Sequence, residues 1–224
     1  MIGIFDSGVG GYTALSEVRR LSKSIDVIYL ADTKNAPYGT KTEEELVSLV
    51  SRDIDVLERA GAEKILIACC TASTVYPLIG KGRQSLSVPI ILPAAKRAME
   101  LTENGKIGVI ATERTVLSRA FSNALSGYDV FEASAQRLVS LVESGERDGR
   151  LGGDARQYLK DLLFPLSEKG IDTLILGCTH FPHLEKEINK ILPRVRTVSP
   201  SREGARALLS VYKGRGNGKI TYLN

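Results

Sequence analysis

Two similar three-layer α/β domains with mainly parallel sheets, pseudo-twofold related and enclosing an active site in the cleft between them, form the fold that this 224-residue sequence predicts. Three observations predict it. Short apolar runs alternate with amphipathic stretches of helical length, the pattern of parallel strands joined by crossover helices. The runs Ile65-Leu66-Ile67-Ala68 and Leu174-Ile175-Leu176-Gly177 are continuously apolar, as befits strands covered on both faces. Each leads into a cysteine with a threonine close behind, Cys69-Cys70-Thr71 and Cys178-Thr179, so the chain carries a faint internal repeat half its own length apart.

In chain order, the expected strands are Ile2–Phe5, Asp26–Ala31, Lys64–Ala68, Pro89–Leu92, Lys106–Ala111, Tyr128–Glu132, Asp172–Gly177 and Arg196–Val198. The expected helices are Gly11–Leu21, Thr42–Ala60, Thr74–Ile79, Ala94–Leu101, Glu113–Leu125, Gln136–Glu143, Asp154–Lys169 and Glu203–Val211. The first unit is expected to take residues 1–93 plus about 200–224, and the second 94–199. The tail after Lys213 is short and glycine-rich and reads as no particular element.

Composition narrows the function. Hydrophobic residues make up 43% and charged residues 25%, as in ordinary globular proteins. The net charge of +4 is spread along the chain with no basic block, so no nucleic-acid partner is expected. No apolar run approaches the ~20 residues that span a bilayer. Nor does a basic stretch precede the short apolar start Ile2-Gly3-Ile4-Phe5. A cytoplasmic protein without membrane contact is expected. Three cysteines, an odd number, do not make a disulfide framework.

Four constellations could carry chemistry. Asp6-Ser7-Gly8-Val9-Gly10-Gly11 ends one strand and opens a helix, where glycines allow a tight turn and close approach by a ligand. It is not a dinucleotide fingerprint, because Thr13 stands where a third small residue is needed, and no Gly-Lys-Ser/Thr follows to make a phosphate loop. Read structurally, it is a glycine turn with Asp6 as a helix cap. Cys69-Cys70-Thr71 follows a buried strand. A cysteine there is commonly inert core, but a helix start beyond it is expected to lower its pKa from about 8.5 toward neutrality and make it a usable acid or base. A vicinal disulfide or a thiophilic metal at Cys69-Cys70 is the competing use. In Gly177-Cys178-Thr179-His180 the thiol and imidazole can couple. Zinc would need further ligands, and only His183 remains. A Cys-His hydrolase would leave Cys69 unexplained. Pro37-Tyr38-Gly39 alone is a turn, placed at the same sheet end as Asp6 and Cys69.

Together these motifs resemble glutamate racemases of the aspartate/glutamate racemase superfamily. The resemblance runs from Ile2 to about Leu184, with further matches at Ile107–Thr112 with Thr115 and at Leu138–Glu143. It implies a cofactor-independent isomerase, with no metal, in which Cys69 and Cys178 are the two catalytic acid–base groups. Asp6 would assist Cys69 and His180 would assist Cys178, with Glu143 as a carboxylate near the second site. Substrate binding would fall to Asp6, Ser7, Pro37, Tyr38, Gly39, Cys70, Thr71, Thr115, Thr179 and His180. The implied substrate is glutamate, the implied assembly a homodimer, and the implied role D-glutamate supply for peptidoglycan. Two departures stand out. Cys70 occupies a position where the family usually has a substrate-binding asparagine, which opens an aspartate or broader specificity, or a weakly active binding homologue, as alternatives. Val198-Ser199-Pro200-Ser201-Arg202 stands where the family tends to carry Asp-Ser before its last helix.

Overall fold

The structure, a computed structural model, describes residues 1–223. Its strands are β1 (Ile2–Asp6), β2 (Val27–Ala31), β3 (Lys64–Ile67), β4 (Ser87–Pro89), β5 (Lys106–Ala111), β6 (Asp129–Ser134), β7 (Thr173–Gly177), β8 (Arg196–Val198) and β9 (Ile220–Leu223). They form two sheets, ordered β4-β3-β1-β2-β9 and β6-β5-β7-β8, and every pairing is parallel. The crossover connections therefore cover both faces of each sheet.

The two-residue alternation of strand side chains sorts the core into layers. Ile2 and Ile4 of β1, Leu66 of β3 and Ile175 of β7 all point into one apolar cluster. That cluster also takes Ala94, Ala95 and Ala98 from helix Ile91–Leu101, and Ala205 and Leu208 from helix Pro200–Val211. The two sheets thus share a central helical layer. Phe5, Ile65 and Ile67 point the other way, onto helix Glu43–Arg59, and Leu174 and Leu176 point onto helix Gly153–Glu168. Each fully buried aliphatic side chain contributes about 1.5–3 kcal/mol by leaving water.

Local signals explain the helix ends. Thr42 closes a capping box with Glu45. Ser199 accepts the Arg202 N–H, and Pro200 takes the first position, where its missing donor costs nothing, so this helix starts before the expected Glu203. Three expectations need correction. The helix expected over Thr74–Ile79 is a short helix at Cys70–Ser73 followed by a single turn at Tyr76–Leu78, because Pro77 cannot continue the ladder. The helix expected over Glu113–Leu125 is two, Glu113–Leu117 and Ala120–Ala124, parted where Arg119 turns left-handed at φ 54°. The strand expected over Pro89–Leu92 is Ser87–Pro89, and a helix begins at Ile91.

Helices Lys81–Leu86 and Glu185–Ile191 are additions to the sequence reading. So is β9, which turns the glycine-rich tail into an edge strand beside β2. Asp26 fastens it by accepting the N–H groups of Asn217 and Lys219, and Arg19 donates to the carbonyls of Gly218 and Lys219.

Gly204 lets helix Pro200–Val211 approach the first sheet closely. A Cβ there would lie 2.5 Å from Ile90 Cγ2 and 3.1 Å from Leu66 Cδ1. Gly204→Val is therefore expected to cost about 1–3 kcal/mol by overpacking and to lower the thermal midpoint by several degrees. A midpoint equal to wild type in a thermal unfolding scan would show that the layers are not held this tightly.

Candidate active site

Parallel strands deliver their C-terminal ends to one side of a sheet, where ligands bind in α/β folds. Here two sheets present those ends to each other. Asp6 ends β1, Cys69 follows β3, Thr112 follows β5 and Cys178 follows β7. Between them lies a small cavity of about 70 Å³ lined from both sheets. A larger hollow of about 690 Å³ lies along helix Gly153–Glu168, but it is an open surface groove without thiols. The smaller one holds all three cysteines.

The cavity brings together Ser7, Pro37, Tyr38, Gly39, Cys69, Cys70, Thr71, Glu143, Cys178, Thr179 and His180. Of the residues singled out from the sequence, Asp6 and Thr115 stand behind the wall rather than in it. Asp6 accepts the Gly8 N–H at 2.9 Å and the Thr179 hydroxyl at 3.3 Å, a contact that joins the two sheets. Thr115 belongs to a buried trio of hydroxyls with Thr71 (3.2 Å) and Thr112 (2.8 Å), and Thr71 and Thr112 are themselves 2.9 Å apart. Thr112 is a wall residue that the sequence reading did not single out, although its strand-end position after β5 is a usable signal. Gly8, Ala36, Val139 and Gln136 also line the cavity; Val139 falls inside the Leu138–Glu143 match, and no local motif marks Gln136.

Each thiol has its own polar partners. Cys69 Sγ accepts the Ala72 N–H at 3.5 Å and sits 3.5 Å from Ser7 Oγ. Cys178 Sγ lies 3.4 Å from His180 Nδ1. His180 Nε2 comes within 3.2 Å of Glu143 Oε1, yet off the line that a ring N–H would need for a hydrogen bond. Gly10 and Gly11 make this approach sterically feasible. A Cβ on Gly10 would fall 2.3 Å from Thr179 Oγ1 and 2.8 Å from His180 Cε1, and one on Gly11 would fall 2.6 Å from the Tyr29 hydroxyl.

The electrostatics correct one expectation. Cys69 is not drawn toward neutrality by the helix that follows. Burial pushes it up to about 11, the Asp6 charge adds to this, and the Ala72 and Ser7 groups only partly offset it. Burial raises Cys178 and Cys70 as well. Burial likewise raises Asp6 to about 6 against the hydrogen bonds from Gly8 and Thr179, and it lowers His180 against the pull of Glu143. All three cysteines are free thiols.

The Pro37-Tyr38-Gly39 wall is anchored from behind. The Tyr38 hydroxyl sits 2.7 Å from Asp32 Oδ2 and 2.8 Å from Asp53 Oδ2, and Arg52 donates to both carboxylates. Burial raises Asp53. Asp32 is raised by burial too, but bonds from Tyr38, Asn35 and Arg52 outweigh that and hold it low. With its hydroxyl engaged there, Tyr38 offers the cavity its ring and backbone.

Among the described residues, no group of three or more His, Cys, Asp or Glu is placed to hold a metal ion, and no helix is long and apolar enough to cross a membrane.

Two thiols, one following a strand of each sheet, thus face one small cavity, and comparison with known proteins shows the family to which such a fold and site belong. The model of the Asp/Glu/Hydantoin racemase family matches residues 13–208, and the chain belongs to that family of isomerases. It is 44% identical over 212 residues to the glutamate racemase of Desulforudis audaxviator, covering 92% of this chain and 77% of that one. It is 37% identical over 226 residues to the glutamate racemase of Aquifex aeolicus, covering 98% and 86%. Glutamate racemase isoform RacE1 from Bacillus anthracis superposes with a TM-score of 0.89 at 33% identity over 99% of this chain and 86% of that one. The glutamate racemase of Francisella tularensis in complex with D-glutamate gives 0.88 at 27% identity over the same shares.

Asp6 carries a testable cost. Its pKa is raised when folded, so between about pH 4 and pH 6 the folded state binds more protons than the unfolded one, and stability falls as pH rises through that window. Asp6→Asn is expected to raise the thermal midpoint at pH 7 by several degrees, and by much less at pH 4. Equal shifts at both pH values would refute the buried-charge account.

Proposed function

We propose that this chain interconverts L- and D-glutamate without a cofactor, by proton transfer at Cα between Cys69 on one side and Cys178 on the other. The observation that carries this reading is the placement of the two thiols, one from each sheet, on one small cavity. A racemase must take a proton from one face of a carbon and return one to the opposite face. In one direction the Cys69 thiolate forms an S–H bond with the Cα proton, and the C–H electron pair moves onto Cα and its carboxylate. The Cys178 thiol then gives its proton to the opposite face and is left as the thiolate. The reverse direction exchanges the roles.

The partners fit this division. Ser7 and Asp6 stand by Cys69, and His180, backed by Glu143, stands by Cys178. The N–H groups at the strand ends, with the hydroxyls of Thr71 and Thr179 turned from their present partners when substrate binds, supply donors for the substrate carboxylates and for the charge that develops on them. A bound ammonium lowers the pKa of a nearby thiol, which offsets the burial that keeps Cys69 protonated in the empty site. D-glutamate made in this way would feed peptidoglycan synthesis in the cytoplasm. We also propose a homodimer, and place the boundary between the two units near Pro93 with a return near Ser199-Pro200.

Cys70 favours one second reading. It lines the cavity and cannot offer the paired donor and acceptor of an amide, so aspartate or other amino acids compete as substrates.

The test is polarimetric racemisation of L- and D-glutamate, aspartate and other amino acids by the purified protein with no cofactor added. Glutamate is expected to turn over fastest, and preference for another amino acid would move the assignment to the second reading. Cys69→Ala and Cys178→Ala are each expected to reduce racemisation by at least ~10³-fold, in the upper range of single acid–base groups. Appreciable turnover surviving either change would sink the two-thiol mechanism.

A further inference from the structure

One polar group in the cavity has no use in the mechanism above. Gln136 opens helix Gln136–Glu143 and lines the cavity from the second sheet's side. It is the one carboxamide among the described residues of the wall. Its Oε1 is buried and has no hydrogen-bond partner. The amide lies against the backbone of Gly39, where a Cβ would come within 3.2 Å of Oε1 and 3.9 Å of Nε2. A side chain at position 39 would crowd it, so the glycine of the Pro37-Tyr38-Gly39 turn gives the amide its place.

Buried acceptors are almost always paired, so an unpaired one facing a ligand cavity points to a donor that the ligand brings. The wall itself has little to offer beyond His180 Nε2, which lies 3.2 Å from Glu143 Oε1 and is set toward that carboxylate. Thr71 and Thr112 are engaged with each other and with Thr115, Ser7 with Cys69, and the ring nitrogen Nδ1 of His180 with Cys178. Thiols are weak donors. An amino-acid substrate, by contrast, carries an ammonium with three N–H groups. We propose that Gln136 is a specificity-determining residue whose side-chain carbonyl accepts one N–H of the substrate ammonium, in a wall where Cys70 supplies no amide of its own. This rests on the amino-acid racemase reading above.

Glutarate, the same diacid without the ammonium, separates this contact from any other. Calorimetric titration of the wild-type protein is expected to show D-glutamate bound at least about tenfold more tightly than glutarate, the effect of a hydrogen bond to a charged group. Gln136→Met should weaken D-glutamate binding about tenfold and leave glutarate within about twofold. In racemisation assays, KM should rise by a similar factor while kcat changes by less than about threefold. Should the methionine crowd Gly39 and impair folding, Gln136→Ala is expected to give the same split. Unchanged D-glutamate binding would overturn the proposal. Equal weakening of D-glutamate and glutarate would also overturn it, since it would place the amide N–H on a carboxylate. A wild-type protein that racemises glutamate while either result holds keeps the function and loses only this contact. A wild-type protein that neither binds nor racemises any amino acid overturns both.

Discussion

Helices Ile91–Leu101 and Pro200–Val211 are buried against both sheets at once, and the geometry of the candidate site depends on that shared layer. A two-sided proton transfer needs two groups on opposite sides of a single carbon, held to a fraction of an ångström. Strand ends from a single sheet all approach a ligand from one side. Two parallel sheets packed on a common apolar layer bring their C-terminal ends face to face. The polar contacts across the cavity, Thr71 with Thr112 and Asp6 with Thr179, fix the remaining freedom. Close glycine contacts at Gly10 and Gly204 serve the same end, because each permits an approach that a methyl group would block.

The closeness of this packing sets the electrostatics. Desolvation is the largest influence on Asp6, Cys69, Cys178 and His180 alike, and in every case it opposes the charged form. Hydrogen bonds reduce the effect without reversing it. The helix after Cys69 has only four residues, too short to offset the loss of water around the thiol.

Much of this was legible in the sequence. Continuous apolar runs marked β3 and β7 as buried parallel strands, and the repeat of strand, cysteine and threonine paired the two half-sites. Side chains at strand ends were located by the same logic, because a parallel sheet puts them where ligands bind. What escaped has physical causes. β9 lies in a glycine-rich tail whose strand character comes from β2, Asp26 and Arg19, contacts far away in sequence. The break at Arg119 is a left-handed residue that no local propensity predicts. The raised thiol pKa values reflect burial supplied by the whole fold, whereas the helix that follows Cys69 is a local feature. Gln136 is an ordinary helix-opening residue until the second sheet turns it onto Gly39.

On the proposed reading, substrate charge completes the site. A neutral thiol is a poor base, and a buried thiolate would be costly to maintain. The amino acid brings two carboxylates and an ammonium, and the carboxylates alone would raise the thiol pKa further. The ammonium reverses that sign, provided it sits between the thiols and not out in solvent. An acceptor that holds the ammonium inside the cavity therefore acts chiefly on binding, while the charge that the bound ammonium brings acts on Cys69 and Cys178. In this chain the thiol loop carries Cys70, and the available carbonyl comes from Gln136 on the opposite unit. Gln136 would thus hold the ammonium from the second sheet's side, across the cavity from the loop that carries Cys69.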